Sequence, residues 1–149
     1  MKKIYTDGAC SHNQDPFKRE GGFSFIILNE DRTARVFYKY EKGATNNQME
    51  LSALLYALDQ AESEEEIYIF TDSQYVIGCF KGNKINKNTE LIAQIKSRIT
   101  EKNIILNFQH VEAHNGDHYN ELADYYARKA IMEKNVCLKN EMLAASDIR

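Results

Sequence analysis

The chain has 149 residues and a formal net charge of −3, and 43% of its residues are hydrophobic against 28% charged. A chain of this length forms one domain with one continuous core, and the composition excludes an intrinsically disordered or membrane-embedded protein. The slightly negative total excludes no class of partner, because a nucleic-acid enzyme needs only a local basic surface.

The cysteines and the amino terminus indicate the expected compartment. Cys10, Cys79 and Cys137 are widely separated and include no C-x-x-C pair, so neither a disulfide framework nor a structural zinc site is predicted. No apolar run approaches the roughly 20 residues of a membrane helix. The first residues, MKKIYTDGAC, lack the long apolar stretch of a signal peptide. We therefore expect a cytoplasmic protein with no membrane partner.

The apolar pattern predicts five strands and four helices. Three strands come first, at residues 3–6, about 22–28 and about 34–40, and their short separations favour an antiparallel meander. A helix over 47–61 follows, because Leu51, Leu54, Leu55 and Leu58 recur at helical spacing. The remaining elements are a strand at 67–71, a short helix at 73–80, a helix at 89–102, a strand at 104–108 and a helix at 117–134.

This order of elements predicts the fold class. Strands that first cluster and then alternate with helices indicate an α/β fold, here a five-stranded mixed sheet with a meander of three strands and two parallel strands, flanked by helices. Asp117 is expected to cap the last helix. Residues 1–134 would form the single domain, and residues 135–149, which lack a helical period, would form a loosely held tail.

Four acidic residues fall where this arrangement can bring them together. Asp7 ends the first predicted strand and Asp72 follows the fourth, so in parallel neighbours both would lie at the sheet edge where open α/β sheets bind ligands. Glu50 is predicted in the first turn of a helix, and Asp124 lies in the last helix. Each alone has an ordinary explanation as a turn former, a helix-dipole acid or a surface acid. Spacing alone does not decide between these interpretations.

A cluster of such acids favours metal ions. Two carboxylates about 4 Å apart repel by roughly 4 kcal/mol at an effective dielectric constant of about 20, so the cluster either takes up protons or binds cations. Oxygen ligands favour Mg²⁺ or Mn²⁺ over zinc. A pair of such ions about 3.5 to 4 Å apart can promote phosphodiester hydrolysis. If the four acids do converge, they would hold metal ions suited to phosphodiester hydrolysis.

Four blocks of the sequence together resemble the type 1 ribonuclease H family, closest to its bacterial ribonuclease HI members. The blocks are YTDGAC at 5–10, TNNQMEL at 45–51, TDSQYV at 71–76 and HNGDHYNELAD at 114–124. They occur in the order of the family, and the match extends from residue 3 to about 132. The resemblance implies the ribonuclease H-like fold. It also implies an endonuclease that hydrolyses the RNA strand of RNA/DNA hybrids, leaving 5′-phosphate and 3′-hydroxyl ends.

The resemblance implies roles for the acids and for one histidine. Asp7, Glu50, Asp72 and Asp124 would be the catalytic carboxylates that bind two Mg²⁺ ions, for which Mn²⁺ could substitute. His114 matches a loop histidine of the family that helps to protonate the leaving group or to release metal and product. An imidazole with an unperturbed pKa near 6.5 suits such a proton transfer.

The resemblance also assigns residues to the hybrid. The minor-groove contacts would be Gly8, Asn13, Asn46, Gln48 and Gln74. Amide side chains suit this role because a 2′-hydroxyl both donates and accepts hydrogen bonds. Thr45 and Asn88 match a pocket for a phosphate of the DNA strand. Both can also be explained as turn or cap residues, and this alternative is strong for Asn88.

The chain departs from the family around its basic protrusion. It has no tryptophan, and the segment FKGNKINKN at 80–88, here called the lysine loop, is short. Lys81, Lys84 and Lys87 form either a reduced hybrid-binding loop, with Phe80 as a stacking residue, or an ordinary solvated turn. Gly43 stands where relatives often carry arginine, and the segment SHNQDPFKREGG is slightly longer than usual.

Two other functions are compatible with the pattern. One is a related metal-dependent nuclease from a mobile element, which would share the acids but differ in substrate. The other is a hybrid-binding module without catalytic activity, which the presence of all four carboxylates argues against. In each case we expect a monomer.

Overall fold

A six-stranded mixed sheet forms the centre of the molecule, here a computed structural model that describes residues 2–31, 33–85, 87–113 and 117–143. The strands are β1 (Lys2–Ser11), β2 (Glu20–Leu28), β3 (Ala34–Lys42), β4 (Glu66–Thr71), β5 (Ile105–His110) and β6 (Lys139–Leu143). The helices are α1 (Asn46–Asp59), α2 (Gln74–Cys79), α3 (Thr89–Lys102) and α4 (His118–Glu133). The α/β fold class predicted from the sequence is confirmed.

The strand order is β5-β4-β1-β2-β3-β6. Strands β1, β2 and β3 form the predicted antiparallel meander, and β4 pairs in parallel with both β1 and β5. Because β1 and β4 run in the same direction side by side, their carboxyl ends lie at the same edge of the sheet.

The sheet has one strand more than the five predicted. Strand β6 pairs antiparallel with β3, from Ala34 opposite Leu143 to Tyr38 opposite Lys139. The Tyr38 hydroxyl donates to Glu141 at 2.8 Å, and the Lys139 ammonium bonds Glu133 of α4 at 3.1 Å. These partners are distant in sequence, which is why the local pattern of 139–143 did not predict a strand. Residues 139–143 of the predicted tail (135–149) are thus paired with the sheet, and residues 144–149 lie outside the described chain. The predicted division into a domain at 1–134 and a loosely held tail stays a prediction.

The two faces of the sheet carry separate hydrophobic clusters. One face packs against α1, whose leucines at 51, 54, 55 and 58 are all buried as the helical spacing predicted, together with Phe25 and Phe37. The other face packs against α4, where Tyr126 and Ala123 contact residues such as Tyr38. Helices α1 and α4 therefore pack on opposite faces of the same sheet.

Candidate active site

Strands β1 and β4 position the first two acids. The last paired residues of these two parallel strands are Tyr5 and Phe70. Asp7 follows Tyr5 by two residues, and Asp72 follows Phe70 by two residues. Asp72 comes directly after β4, as predicted. Asp7 does not end its strand, because β1 continues to Ser11 in antiparallel pairing with β2. Both carboxylates still lie beyond the parallel ladder, at the carboxyl edge of the sheet.

Helix α1 brings Glu50 to Asp7 because Gly8 has no side chain. A Cβ atom at Gly8 would lie 2.5 Å from the backbone nitrogen of Glu50, closer than atoms can approach. The helix begins at Asn46, so Glu50 lies just past its first turn and not within it as predicted. The helix-dipole explanation for this acid is therefore weakened. Glu50 is buried, and it faces the end of β1.

Three of the four acids form a tight group, here called the acid cluster. Oxygen atoms of Asp7, Glu50 and Asp72 lie within 4.8 Å of one another. Asp7 and Glu50 are buried, whereas Asp72 is partly exposed. No other group of three potential metal ligands with this spacing occurs among residues 2–31, 33–85, 87–113 and 117–143. The convergence predicted from the sequence is therefore present for these three residues.

Asp124 lies beside the acid cluster without joining its tightest group. Its Oδ2 atom accepts from Arg128 one turn later in α4, at 3.1 Å from Nε and 3.0 Å from Nη2. The charge of Asp124 nevertheless contributes to raising the pKa values of Asp7, Glu50 and Asp72. The charge of Asp124 thus reaches the acid cluster, whereas its predicted role as a fourth metal ligand stays a prediction.

The pKa values of the acid cluster are raised, chiefly by burial. Burial and then the charges of Asp72 and Asp124 raise the pKa of Asp7 to about 8. Burial and the Asp7 charge raise the pKa of Glu50 well above its usual range, and burial raises that of Asp72. Without a cation, these groups therefore hold protons at a pH where ordinary carboxyl groups are ionised.

The chemistry of the donor atoms fits a hard divalent cation. The Oε1 atom of Glu50 and the Oδ1 atom of Asn120 are buried oxygens without a hydrogen-bond partner in the described structure. A buried acceptor without a partner costs free energy unless a proton donor or a cation satisfies it. Three carboxylates at this spacing match the ligands that Mg²⁺ and Mn²⁺ prefer.

Asn120 is a functional candidate that the sequence did not single out. It is 2% exposed, and its side-chain hydrogen bond to Asp72 opposes the rise in the pKa of that acid. Its backbone N–H donates to Asp117, the predicted cap of α4, at 3.0 Å. The one available signal was its spacing of four residues before Asp124, which places both on one face of the helix.

Most of the residues predicted to contact substrate line one depression, here called the amide depression. It has a volume of about 580 Å³. Its lining is Asn13, Thr45, Asn46, Asn47, Gln48, Lys87 and Asn88. Five of these residues were predicted from the sequence, from three separate segments of the chain. The structure thus gathers amide groups, one hydroxyl and one cation in a single surface feature.

Several of these side chains already have partners. The Thr45 hydroxyl accepts from the Gln48 backbone N–H at 3.1 Å, and the Gln48 side chain accepts from Thr45 at 2.9 Å, which forms a capping box. Asn88 has the position of the helix cap, but its side chain instead donates to the Tyr75 hydroxyl at 2.9 Å. The cap interpretation of Asn88 therefore holds for its position and not for its side chain.

Two of the predicted substrate contacts, Gly8 and Gln74, lie outside the amide depression. Gly8 lies between Asp7 and α1, where it allows the close approach of Glu50. Gln74 is the exposed first residue of α2, two residues after Asp72. His114 lies outside the described residues, so its proposed catalytic role stays a prediction.

The lysine loop divides into exposed cations and a packed aromatic residue. Lys81, Lys84 and Lys87 are exposed. Phe80 is partly buried and its ring stacks on Phe108 with centroids 5.7 Å apart. The ring is thus packed against another aromatic ring of the protein.

Comparisons with known proteins show which proteins this chain is similar to. The RNase H family model matches residues 1–132. The Ribonuclease H of Wolbachia pipientis wMel is 38% identical over 144 residues, covering 87% of this chain and 94% of that protein. The Ribonuclease H of Neorickettsia sennetsu is 34% identical over 141 residues, covering 85% of this chain and 89% of that protein.

A solved structure supports the fold independently. The crystal structure of LC9-RNase H1, described as a type 1 RNase H with the type 2 active-site motif, superimposes with a TM-score of 0.76. The match covers 94% of this chain and 77% of that one at 19% identity. Within the described residues, no helix has the length and apolar character needed to cross a membrane. The family match over most of the chain, together with the acid cluster, shows that this chain belongs to the RNase H family of hydrolases.

Proposed function

We propose that this protein hydrolyses the RNA strand of RNA/DNA hybrids with the help of two divalent cations, leaving 5′-phosphate and 3′-hydroxyl ends. The convergence of Asp7, Glu50 and Asp72 within 4.8 Å supports this proposal most directly. Two bound ions would activate a water molecule and stabilise the charge that develops on the leaving oxygen. Mg²⁺ is the proposed ion, with Mn²⁺ as a substitute.

The acid cluster would hold the ions in place. Glu50 offers a buried oxygen with no other partner in the described structure, and Asp72 is partly exposed toward solvent. Asp124 would complete the site from α4 through the oxygen that Arg128 does not contact. Because the carboxylates come from β1, α1, the residue after β4 and α4, the fold fixes their positions before any ligand arrives.

The amide depression would bind the hybrid beside the acid cluster. Asn13, Asn46 and Gln48 would contact 2′-hydroxyl groups, which both donate and accept hydrogen bonds. Thr45 and Asn88 would contact a phosphate of the DNA strand, with Lys87 supplying the positive charge in the same depression. Gly8 and Gln74 would complete the contacts close to the acids. His114 would assist proton transfer to the leaving group.

A cleavage assay with an acid variant tests this function. The wild-type protein should cleave the RNA strand of a labelled hybrid when Mg²⁺ or Mn²⁺ is present, and should not cleave it in chelator. It should cleave neither double-stranded RNA nor double-stranded DNA. The Asp72→Asn variant should lose cleavage by about a thousandfold or more, because it loses charge at the metal-binding site. Its hybrid affinity should change little, because Asp72 lies outside the amide depression.

The matched control is Asp59→Asn, which removes an acid that pairs with Arg98 at the surface. This variant should retain wild-type cleavage, since Asp59 lies outside the acid cluster. Full activity of Asp72→Asn, or equal cleavage of all three duplexes by the wild type, would refute the proposed function. Analysis of the product ends would test the predicted 5′-phosphate and 3′-hydroxyl groups.

A further inference from the structure

The loop between β1 and β2 is a structured turn and not a loose connection. Residues 12–19, here called the Phe17 loop, fold around Asp15. The Asp15 backbone carbonyl accepts from the backbone N–H groups of Lys18 and Arg19 at 3.1 and 2.9 Å. The Asp15 carboxylate accepts from the backbone N–H of Phe17 at 2.9 Å. The backbone that carries Phe17 therefore has a defined position.

Both ends of the Phe17 loop are tied to the segment that leads into α1. The side-chain oxygen of Asn13 accepts from the backbone N–H of Asn46 at 3.1 Å. At the other end, Arg19 Nε donates to the Gly43 carbonyl at 3.0 Å, and Gly43 N–H donates to the Arg19 carbonyl at 2.9 Å. Asn13 and Asn46 line the amide depression. The loop is thus a direct extension of that surface.

Phe17 is presented to solvent at the tip of this loop. Its side chain is 93% exposed, more than any other large hydrophobic residue of the described structure. Single exposed hydrophobic side chains are common, so exposure alone does not identify a site. Here, however, the exposed ring is followed by Lys18 and Arg19 and lies on an anchored turn beside the amide depression. Aromatic rings among cations are the groups with which proteins bind unpaired or frayed bases.

We propose that Phe17 is a nucleic-acid contact that stacks on an unpaired or frayed base of the bound hybrid beyond the amide depression. Lys18 would contact the adjoining backbone phosphates as an exposed cation on the same turn. This inference rests on the proposed function, because it requires a hybrid bound along the amide depression. It adds a contact that the predicted site residues do not include.

The absence of tryptophan from the chain allows a direct optical test. In the Phe17→Trp variant, the introduced indole is the sole tryptophan, so its fluorescence reports contact with bases. We use a hybrid of defined length in chelator, so that no cleavage occurs. Addition of the hybrid should quench this fluorescence, and the quenching should saturate at the concentration at which anisotropy of a labelled hybrid shows binding.

The matched control is Ile105→Trp, which places a tryptophan at a residue that is 60% exposed. Ile105 begins β5 and pairs with Glu66 at the amino end of β4, whereas the acid cluster lies at the carboxyl end of β4. Its fluorescence should not change when hybrid binds. Quenching in the control equal to that of Phe17→Trp would show a non-specific effect and would overturn the assignment.

A second variant measures the contribution of the contact. Phe17→Ala should weaken hybrid binding at least about fivefold, as expected for loss of one stacked base. The role of Phe17 would be refuted if the fluorescence of Phe17→Trp were not quenched when hybrid is bound, or if Phe17→Ala bound hybrid with unchanged affinity. Either result would leave the proposed function intact. Failure of the wild-type protein to bind or cleave hybrid would instead refute the proposed function.

Discussion

At the scale of single residues, the site consists of carboxyl groups that the fold places where their ionisation is unfavourable. Asp7 is 4% exposed and lies close to two other buried or half-buried acids. The backbone N–H of Gly8 donates to its Oδ1 atom at 3.0 Å, which stabilises the ionised form, but burial outweighs this contact. Such unfavourable ionisation favours metal binding, because a bound cation would offset the repulsion between the carboxylates and would give the buried oxygen of Glu50 a partner.

The raised pKa of Asp7 predicts a pH dependence of stability in the absence of metal. Between the ordinary value of 3.8 and the raised value of about 8, the folded protein holds a proton that the unfolded chain has released. The free energy of unfolding should therefore fall as pH rises through this range. Urea unfolding in chelator at several pH values measures this slope.

The Asp7→Asn variant serves to assign the slope to this residue. Its free energy of unfolding should depend less on pH than that of the wild type, because the buried group can no longer ionise. Asp59→Asn should keep the wild-type slope, since Asp59 lies in a surface ion pair. A wild-type stability that rises steadily from acidic to neutral pH would contradict the prediction.

At the scale of elements, the lysine loop is the segment whose role the sequence left open. Lys87 lines the amide depression, whereas Lys81 and Lys84 are exposed elsewhere on the loop. Phe80 stacks on Phe108, whereas the three basic side chains of the loop are exposed. The structure therefore favours a contribution through charge over one through stacking.

Replacing Lys81, Lys84 and Lys87 together by glutamine should weaken hybrid binding. Each phosphate contact that is lost should also reduce the slope of log affinity against log salt by about 0.9. Anisotropy titrations at several salt concentrations measure both effects. Replacing the exposed Lys96 of α3 by glutamine is the control, and it should leave the slope unchanged. An unaltered slope in the triple variant would show that the loop is an ordinary solvated turn.

At the scale of the whole molecule, the site joins two layers that pack separately. Helix α1 supplies Glu50 from one face of the sheet, and α4 supplies Asp124 from the other. The Ser24 hydroxyl of β2 donates to the Ala123 carbonyl at 2.5 Å, which ties α4 to the sheet next to Asp124. Because the ligands come from both layers, a cation bound there would link the layers.

Divalent metal should therefore stabilise the folded protein as a whole. At a concentration about 100 times its dissociation constant, Mg²⁺ should raise the free energy of unfolding by about 2.7 kcal/mol. Thermal and urea unfolding with and without Mg²⁺ measure this effect. Asp72→Asn should show a smaller gain and Asp59→Asn the full gain. Equal stability of the wild type with and without metal would contradict a metal site built from both layers.

The sequence by itself determined the elements with strong local patterns. The leucines of α1 and the apolar run of β4 are periodic within one segment, and Asp117 caps α4 as its position predicted. The four blocks of the resemblance identified the acids, of which Asp7, Glu50 and Asp72 form the cluster. Such features depend on neighbours in the chain, which a sequence displays directly.

Only the tertiary structure decided the features that depend on contacts between distant segments. Strand β6 exists because β3 and α4 offer it partners, and its own five residues carry no clear strand pattern. The buried position of Asn120 beside Asp72 and the anchored exposure of Phe17 likewise depend on residues far away in the chain. Burial and electrostatic repulsion are properties of a packed arrangement, so they become definite only when the chain has folded.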